Sequence, residues 1–250
     1  MTLFGKKIPI VFSLLIWFIV WEAIGQAKFS SIIPPFSGVI QAAVTILPTE
    51  KFHTAAMISL RSFGIGMALA ILIGIPLGIL MARVQGLGRI LGMWVNIFVS
   101  APISALVPLL MAVVGIGETT VVVTVFLFAV FVIILDTQVG VVHADRSLVD
   151  MARAFGAKRH QIYTKVLILS ALPEMLAGLR LGAIRGVKGV VIGQLLVAII
   201  GVGELFELYS QHFLMEEFWA LVVTVFLFAF AVSEAIAALE RRVEYYASAR

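Results

Sequence analysis

Apolar runs of about twenty residues recur along this chain, each long enough to cross the ~30 Å hydrocarbon core of a bilayer as a helix. Inside lipid every backbone N–H and C=O must be satisfied by the chain itself, so runs of this kind imply a bundle of helices. The sequence is 62% hydrophobic and only 13% charged, too little charge to cover a soluble surface. The expected fold class is therefore all-α: a polytopic membrane bundle forming one transmembrane domain over residues 1–250. Cysteine is absent, which excludes disulfides, thiolate metal sites and thiol catalysis.

Six spans are expected, at about residues 8–25, 55–82, 87–114, 119–142, 174–200 and 219–239. The first run follows Lys6 and Lys7 like a secretory signal, but it is long for one and is read as an uncleaved span. Residues 26–54 form the longest outer loop. In it Ser30, Ser31, Pro34, Pro35 and Ser37 read as a turn, and Val39 to Leu47 as a short interfacial helix. With both termini in the cytoplasm, the inner segments hold Lys6, Lys7, Arg83, Arg89, Arg146, Arg153, Lys158, Arg159, Lys165, Arg241, Arg242 and Arg250. That is 12 of the 18 Lys and Arg, as the positive-inside rule requires. The net charge of +4 follows this topology and does not imply nucleic acid as a partner. The expected location is the bacterial inner membrane, with lipid around the bundle.

Several spans carry residues that lipid does not favour. Gly74, Pro76 and Gly78 interrupt the second, and Pro102 and Pro108 the third. Such breaks are kinks in a packed bundle or the lining of a wet path. In the fifth, Gly178, Gly182, Gly186, Gly189 and Gly193 fall within roughly 80° of arc at ~100° per residue. A flat glycine face admits another helix closely, either within the chain or from a second copy. Arg185 and Lys188 stand beside it, each costing about 2.5–3.5 kcal/mol at a helix centre. They line a path that favours an anion, or they pair with Asp136 or Glu22, which are similarly out of place in other spans.

Between the fourth and fifth spans lies a polar, basic island, residues 145–173. Leu148, Met151, Ala152 and Phe155 follow helical spacing and give a short helix one apolar face. Asp145 or Ser147 suits its N-cap, and Gly156 its left-handed C-terminal position. A second helix starts near Lys158, with Ile162 and Val166 inward, and leads into the fifth span.

The stretch Asp150-Met151-Ala152-Arg153-Ala154-Phe155-Gly156, then nine residues, then Val166-Leu167-Ile168-Leu169, resembles the EAA loop of binding-protein-dependent ABC importer permeases. That motif reads Glu-Ala-Ala, three residues, Gly, nine residues, Ile-x-Leu-Pro. Leu72 to Gly78, Pro102 to Leu110, Gly115 to Glu118 and Gly201 to Leu205 are similar to the nitrate, sulfonate and taurine branch. The resemblance covers about residues 55–245. Asp150 replaces Glu, Met151 replaces Ala, and Leu169 replaces the motif's Pro, with Pro173 four residues on. In that family the loop helix docks in a groove of an ATPase subunit and transmits its closure. The resemblance thus implies that Asp150, Met151, Ala152 and Gly156 are coupling residues and that Arg153 and Phe155 meet the partner. It also implies a paired permease, a solute-binding protein outside and a small, anionic solute.

The chain has no Gly-x-x-x-x-Gly-Lys-[Ser/Thr] loop, so ATP and Mg²⁺ belong to a partner subunit and no cofactor is expected here. His53, His143, His160 and His212 show no metal-ligand spacing, and no nucleophile elbow or zinc motif is present. The chain is read as a transport subunit and not an enzyme. Glu204, Glu207, Glu216 and Glu217 form an acidic outer rim, set by topology or by the docking of the binding protein. The rival function is a secondary transporter using Asp136, Glu22 and Lys188 as a relay.

Overall fold

The computed structural model describes residues 2–3, 6–7, 10–28, 30–144, 146–197 and 199–248. Apart from a minimal pairing of Thr2–Leu3 with Lys6–Lys7, its regular structure is helical. The helices are α1 (Ile10–Gln26), α2 (Phe36–Ile46), α3 (Glu50–Arg83), α4 (Gln85–Ser100), α5 (Val107–Val114) and α6 (Glu118–Val142). Then come α7 (Arg146–Ala154), α8 (Arg159–Gln161), α9 (Ile168–Val197), α10 (Gly201–Gln211) and α11 (Met215–Ser248). A π-helical turn, Ile162–Leu167, joins α8 to α9 without a break.

The expected count of six spans is not reproduced. Among the described residues four helical units are long and apolar enough to cross a bilayer: α3, α6, Arg159–Val197 and α11. The expected third span is two arms, α4 and α5, bent by 91°. Pro102 causes the break. Its ring holds Ala101 extended and it has no N–H to continue the helix, so the chain turns through a 3₁₀ segment, Ile103–Leu106. Pro108 falls in the first turn of α5, where a missing N–H costs nothing. The 17 residues of α1 span about 25 Å, short of the bilayer core.

α6 is the central helix. It is apolar on every side and is packed on several. α3 meets it through Gly66, Gly74 and Gly78, which lie against Val125, Ile133 and Thr137. α9 meets it through most of the glycine stripe: Gly178 on Asp136, Gly182 on Ile133, Gly189 on Val125 and Gly193 on Thr124, while Gly186 lies against Met67 and Phe63 of α3 and then Val125. A Cβ added at Gly178 would stand 2.5 Å from the Asp136 Cβ. The stripe is thus spent on packing inside one chain, where close backbone approach replaces the missing hydrophobic drive.

At the α2 end of the bundle, indoles staple the chain together. Trp21 Nε1–H donates to the Pro34 carbonyl at 3.1 Å and Trp219 Nε1–H to the Ile32 carbonyl at 2.8 Å. The two rings meet edge to face, centroids 5.4 Å apart. The helix expected from Val39 starts three residues earlier, at Phe36, so Ser37 lies inside it. Glu22 explains the early start. Its carboxylate accepts from Ser37 N–H at 2.9 Å and from Ser37 Oγ–H at 2.8 Å, capping α2 from α1. Glu22 is thus engaged in capping α2 and forms no ion pair with Arg185 or Lys188.

Candidate functional site

The first part of the island folds as α7, and the apolar face of that helix is exposed. Met151 is 53% and Phe155 84% accessible, and Leu148 shares the exposed side. Asp150 and Arg153 form a 3.4 Å ion pair on the surface, and Ala152 is half-buried. Asp145 lies outside the described residues. The helix stops in a pair of hydrogen bonds: Gly156 N–H donates to Arg153 O at 2.9 Å and Ala157 N–H to Ala152 O at 3.0 Å. This is a Schellman closure, and it requires the left-handed φ of +76° that Gly156 adopts. Nothing lies within 4 Å of an added Cβ there, so the backbone alone demands glycine.

Beyond it, Lys158 N–H donates to Gln161 Oε1 at 2.8 Å and α8 begins. Ile162 is buried and Val166 half-buried. Leu169, where the resembled motif has proline, is helical and exposed, and Pro173 lies within α9. α7 is thus a short helix with exposed apolar residues, tied by one turn to a long spanning helix.

The second feature is on α9. Its glycine side is buried on α6, while Leu181, Lys188 and Leu195 share an exposed side flanked by half-buried Arg185. Gly186 and Gly189, on either side of Lys188, lie against Met67 and Phe128, near mid-length of α3 and α6. Lys188 therefore stands at mid-height. The ion pairs among the described residues are Arg61–Glu118, Arg153–Asp150, Arg180–Glu240 and Arg241–Glu234; Lys188 takes part in none, while Arg185, though in no direct pair, interacts electrostatically with Asp136 of α6. Pro102 and Pro108 sit exposed at the α4–α5 bend, and α5 packs against α9.

A third feature escaped sequence reasoning. Gln194 is completely buried, and its Oε1 accepts from Ser59 Oγ–H at 2.8 Å and from Gly203 N–H at 3.3 Å. Val202 N–H donates to Ser59 Oγ at 3.0 Å. The pair ties α3 and α9 to the start of α10, beside an apolar cavity of about 170 Å³ between α3, α9 and α11. The sequence signal was a lone glutamine in an apolar helix. α10 falls between the expected fifth and sixth spans, where no helix was expected, although Leu205, Phe206 and Tyr209 repeat at helical spacing. Among the described residues no three His, Asp or Glu gather as a metal site.

Residues 74–245 match the model of the family described as "Binding-protein-dependent transport system inner membrane component". A "Probable ABC transporter permease protein" of Brucella melitensis is 27% identical over 211 residues, 84% of this chain and 86% of the relative. The taurine transport system permease of Escherichia coli is 27% identical over 230 residues, covering 89% and 84%. Among solved structures, inward-facing MetNI methionine ABC transporter aligns at TM-score 0.65 and 23% identity, over 75% of this chain and 93% of that one. An amino acid ABC transporter aligns at 0.64 and 14%, over 76% and 93%. At these identities the structures establish the shared fold. The family model spans the central helix, the α7 loop and the α9 cations together, and on that match the chain belongs to the binding-protein-dependent transport system inner membrane components.

Proposed function

We propose that two copies of this chain form the membrane path of an ABC importer for a small anionic solute, with α7 gripped by an ATPase subunit. The observation that carries this reading is Lys188: a cation at mid-height, exposed, unpaired by any carboxylate among the described residues, on a side otherwise aliphatic. Facing lipid it would cost about 2.5–3.5 kcal/mol, so this side of α9 borders water. A second copy closes that wet side, and Arg185 flanks it. The exposed bend at Pro102 and Pro108 forms the adjoining wall. The Lys188 charge there, with Arg185 beside it partly balanced by Asp136, favours a solute with a sulfonate-like or other anionic group, in keeping with the taurine permease among the relatives.

The α7 end is the cytoplasmic one in this reading, and both termini lie on that side. Exposed Met151 and Phe155 fit a helix-in-groove contact, with Asp150, Ala152 and Arg153 around it and Gly156 fixing where the helix ends. The partner supplies ATP and Mg²⁺, since this chain has no phosphate loop. At the far end Glu204, Glu207, Glu216 and Glu217 face the solute-binding protein.

The test is ATP-dependent uptake of labelled taurine by vesicles holding the chain, its ATPase and its binding protein. Lys188→Ala is expected to reduce uptake about tenfold, equivalent to ~1.4 kcal/mol, with the ATPase still bound. Unchanged uptake and unchanged anion preference in Lys188→Ala and Arg185→Ala would sink the path assignment. Uptake by the chain alone, without ATP, would sink the importer reading.

A further inference from the structure

Arg83 closes α3, and its guanidinium carbon lies 3.5 Å from the centroid of the Tyr163 ring. The two residues stand at joints. Val84 after Arg83 is extended and α4 follows at Gln85, while Tyr163 sits inside the π turn that joins α8 to α9. Nearby, Ile79 and Ala82 of α3 pack with Val141 of α6 and with Ala171 and Met175 of α9. That apolar cluster fixes the three helices to one another. It reaches back along α9 only as far as Ala171, about two turns beyond Tyr163. The Arg83 side chain extends the contact toward the α7 loop.

Arg83 is exposed and Tyr163 half-buried, and a cation over a ring in that setting adds little stability. Its value is geometric. A π turn holds extra backbone in one turn through longer-range bonds, and such turns recur at functional positions of helices. The segment leaving α7 therefore contains a turn whose winding can change, and the ring inside it is held by the residue that ends α3. A displacement of α7 has two ways into the bundle: along the helix into α9, and sideways through Arg83 to α4. The sideways way continues along α4 to the Pro102 bend.

We propose that the Arg83–Tyr163 stack is a positioning contact that carries displacement of the α7 loop to α4, and so couples ATP turnover to movement of the path. It rests on the reading that α7 docks on the ATPase subunit.

Because the chain has no cysteine, single introduced cysteines report cleanly. In the complex with its ATPase subunits, His160→Cys marks the loop and Ile97→Cys marks α4, both exposed positions. Maleimide labelling is compared between nucleotide-free and vanadate-trapped complex. Trapping is expected to change the rate at both positions by about fivefold. In Arg83→Met or Tyr163→Leu the change at His160→Cys persists and that at Ile97→Cys is lost. Arg83→Lys and Tyr163→Phe, which keep the cation and the ring, retain both. A loss of fold quality alone would not separate the two positions. The two disruptive substitutions remove opposite partners, so if one fails to assemble the other decides. Persistence of the α4 change without the stack overturns the proposal. Absence of any loop response in the otherwise unsubstituted chain overturns instead the docking of α7 on which it rests.

Discussion

The Ser59 hydroxyl donates to the Gln194 carboxamide at 2.8 Å and joins two residues 135 positions apart. The same hydroxyl accepts from Val202 N–H, so one side chain of α3 holds both α9 and the entry to α10. Gly201 allows this: its φ is +65°, and an added Cβ would stand 2.2 Å from Gln194 Nε2. Ser59→Ala leaves Val202 N–H and part of the Gln194 carboxamide without a partner, which costs about 1–3 kcal/mol. The measurement is thermal unfolding in detergent, followed by the fluorescence of the four tryptophans. Ser59→Ala is expected to lower the midpoint by several degrees, and Ser59→Thr, which keeps the hydroxyl, by less. An unchanged midpoint in Ser59→Ala would mean that the pair contributes nothing.

This contact marks the boundary of what the chain order reveals. α3, α6, α9 and α11 were legible because a long apolar run has one stable solution in lipid. α7 was legible from the spacing of Leu148, Met151, Ala152 and Phe155, and its end from Gly156. The break of the third span was written in Pro102 and Pro108, but the 91° turn depends on how α5 seats on its neighbours. Glu22 was misread because its reason is a through-space contact: Ser37 at the start of α2 takes up the carboxylate. The glycine stripe left two partners open, and only the packing of α6 decides between them. Lys188 could be priced from sequence, whereas its exposed position needed the structure.

Gly178 and Gly64 make a matched test of close packing. At Gly178 an added Cβ would lie 2.5 Å from the Asp136 Cβ, nearer than real Cβ contacts allow, so α9 must move off α6. At Gly64 an added Cβ meets nothing within 4 Å. Gly178→Ala is expected to destabilise by about 1–3 kcal/mol, the usual cost of overpacking. Gly64→Ala removes a helix-interior glycine in open space and is expected to be neutral or to stabilise by up to about 1 kcal/mol. Unfolding midpoints in detergent compare them directly. Equal midpoints for the two variants would refute the close-approach account of the stripe.

Gly156 isolates backbone conformation from space. With φ at +76° and no neighbour to clash, Gly156→Ala pays only the left-handed penalty, about 1–2 kcal/mol. Asparagine tolerates that region better, so Gly156→Asn should lose less. The exposed helix then frays at its end and presents Phe155 poorly. Retention of the ATPase subunit on purification is expected to fall in the order glycine, asparagine, alanine, proline. A proline variant that retains the subunit as well as glycine does would show that the closure of α7 is not used in docking.

The last test concerns how α11 is held. Arg180 of α9 and Glu240 of α11 pair at 3.1 Å, the glutamate side chain only 14% exposed and the arginine 39%. Such a pair lies between the surface case, worth ~1 kcal/mol or less, and the buried case, where removing one partner strands a charge at about 3–5 kcal/mol. Because the glutamate is the more buried partner, Arg180→Ala strands it and should destabilise by about 2 kcal/mol. Glu240→Gln leaves the more exposed guanidinium to water and should cost less. The double substitution should cost less than the sum of the two, since each single change removes the same attraction. A double-mutant cycle on unfolding midpoints in detergent reads the coupling. A coupling near zero would mean that apolar contact alone holds α11 to α9. A clear coupling would identify Arg180 as a structural cation, distinct from Lys188, the α9 cation with no carboxylate partner among the described residues.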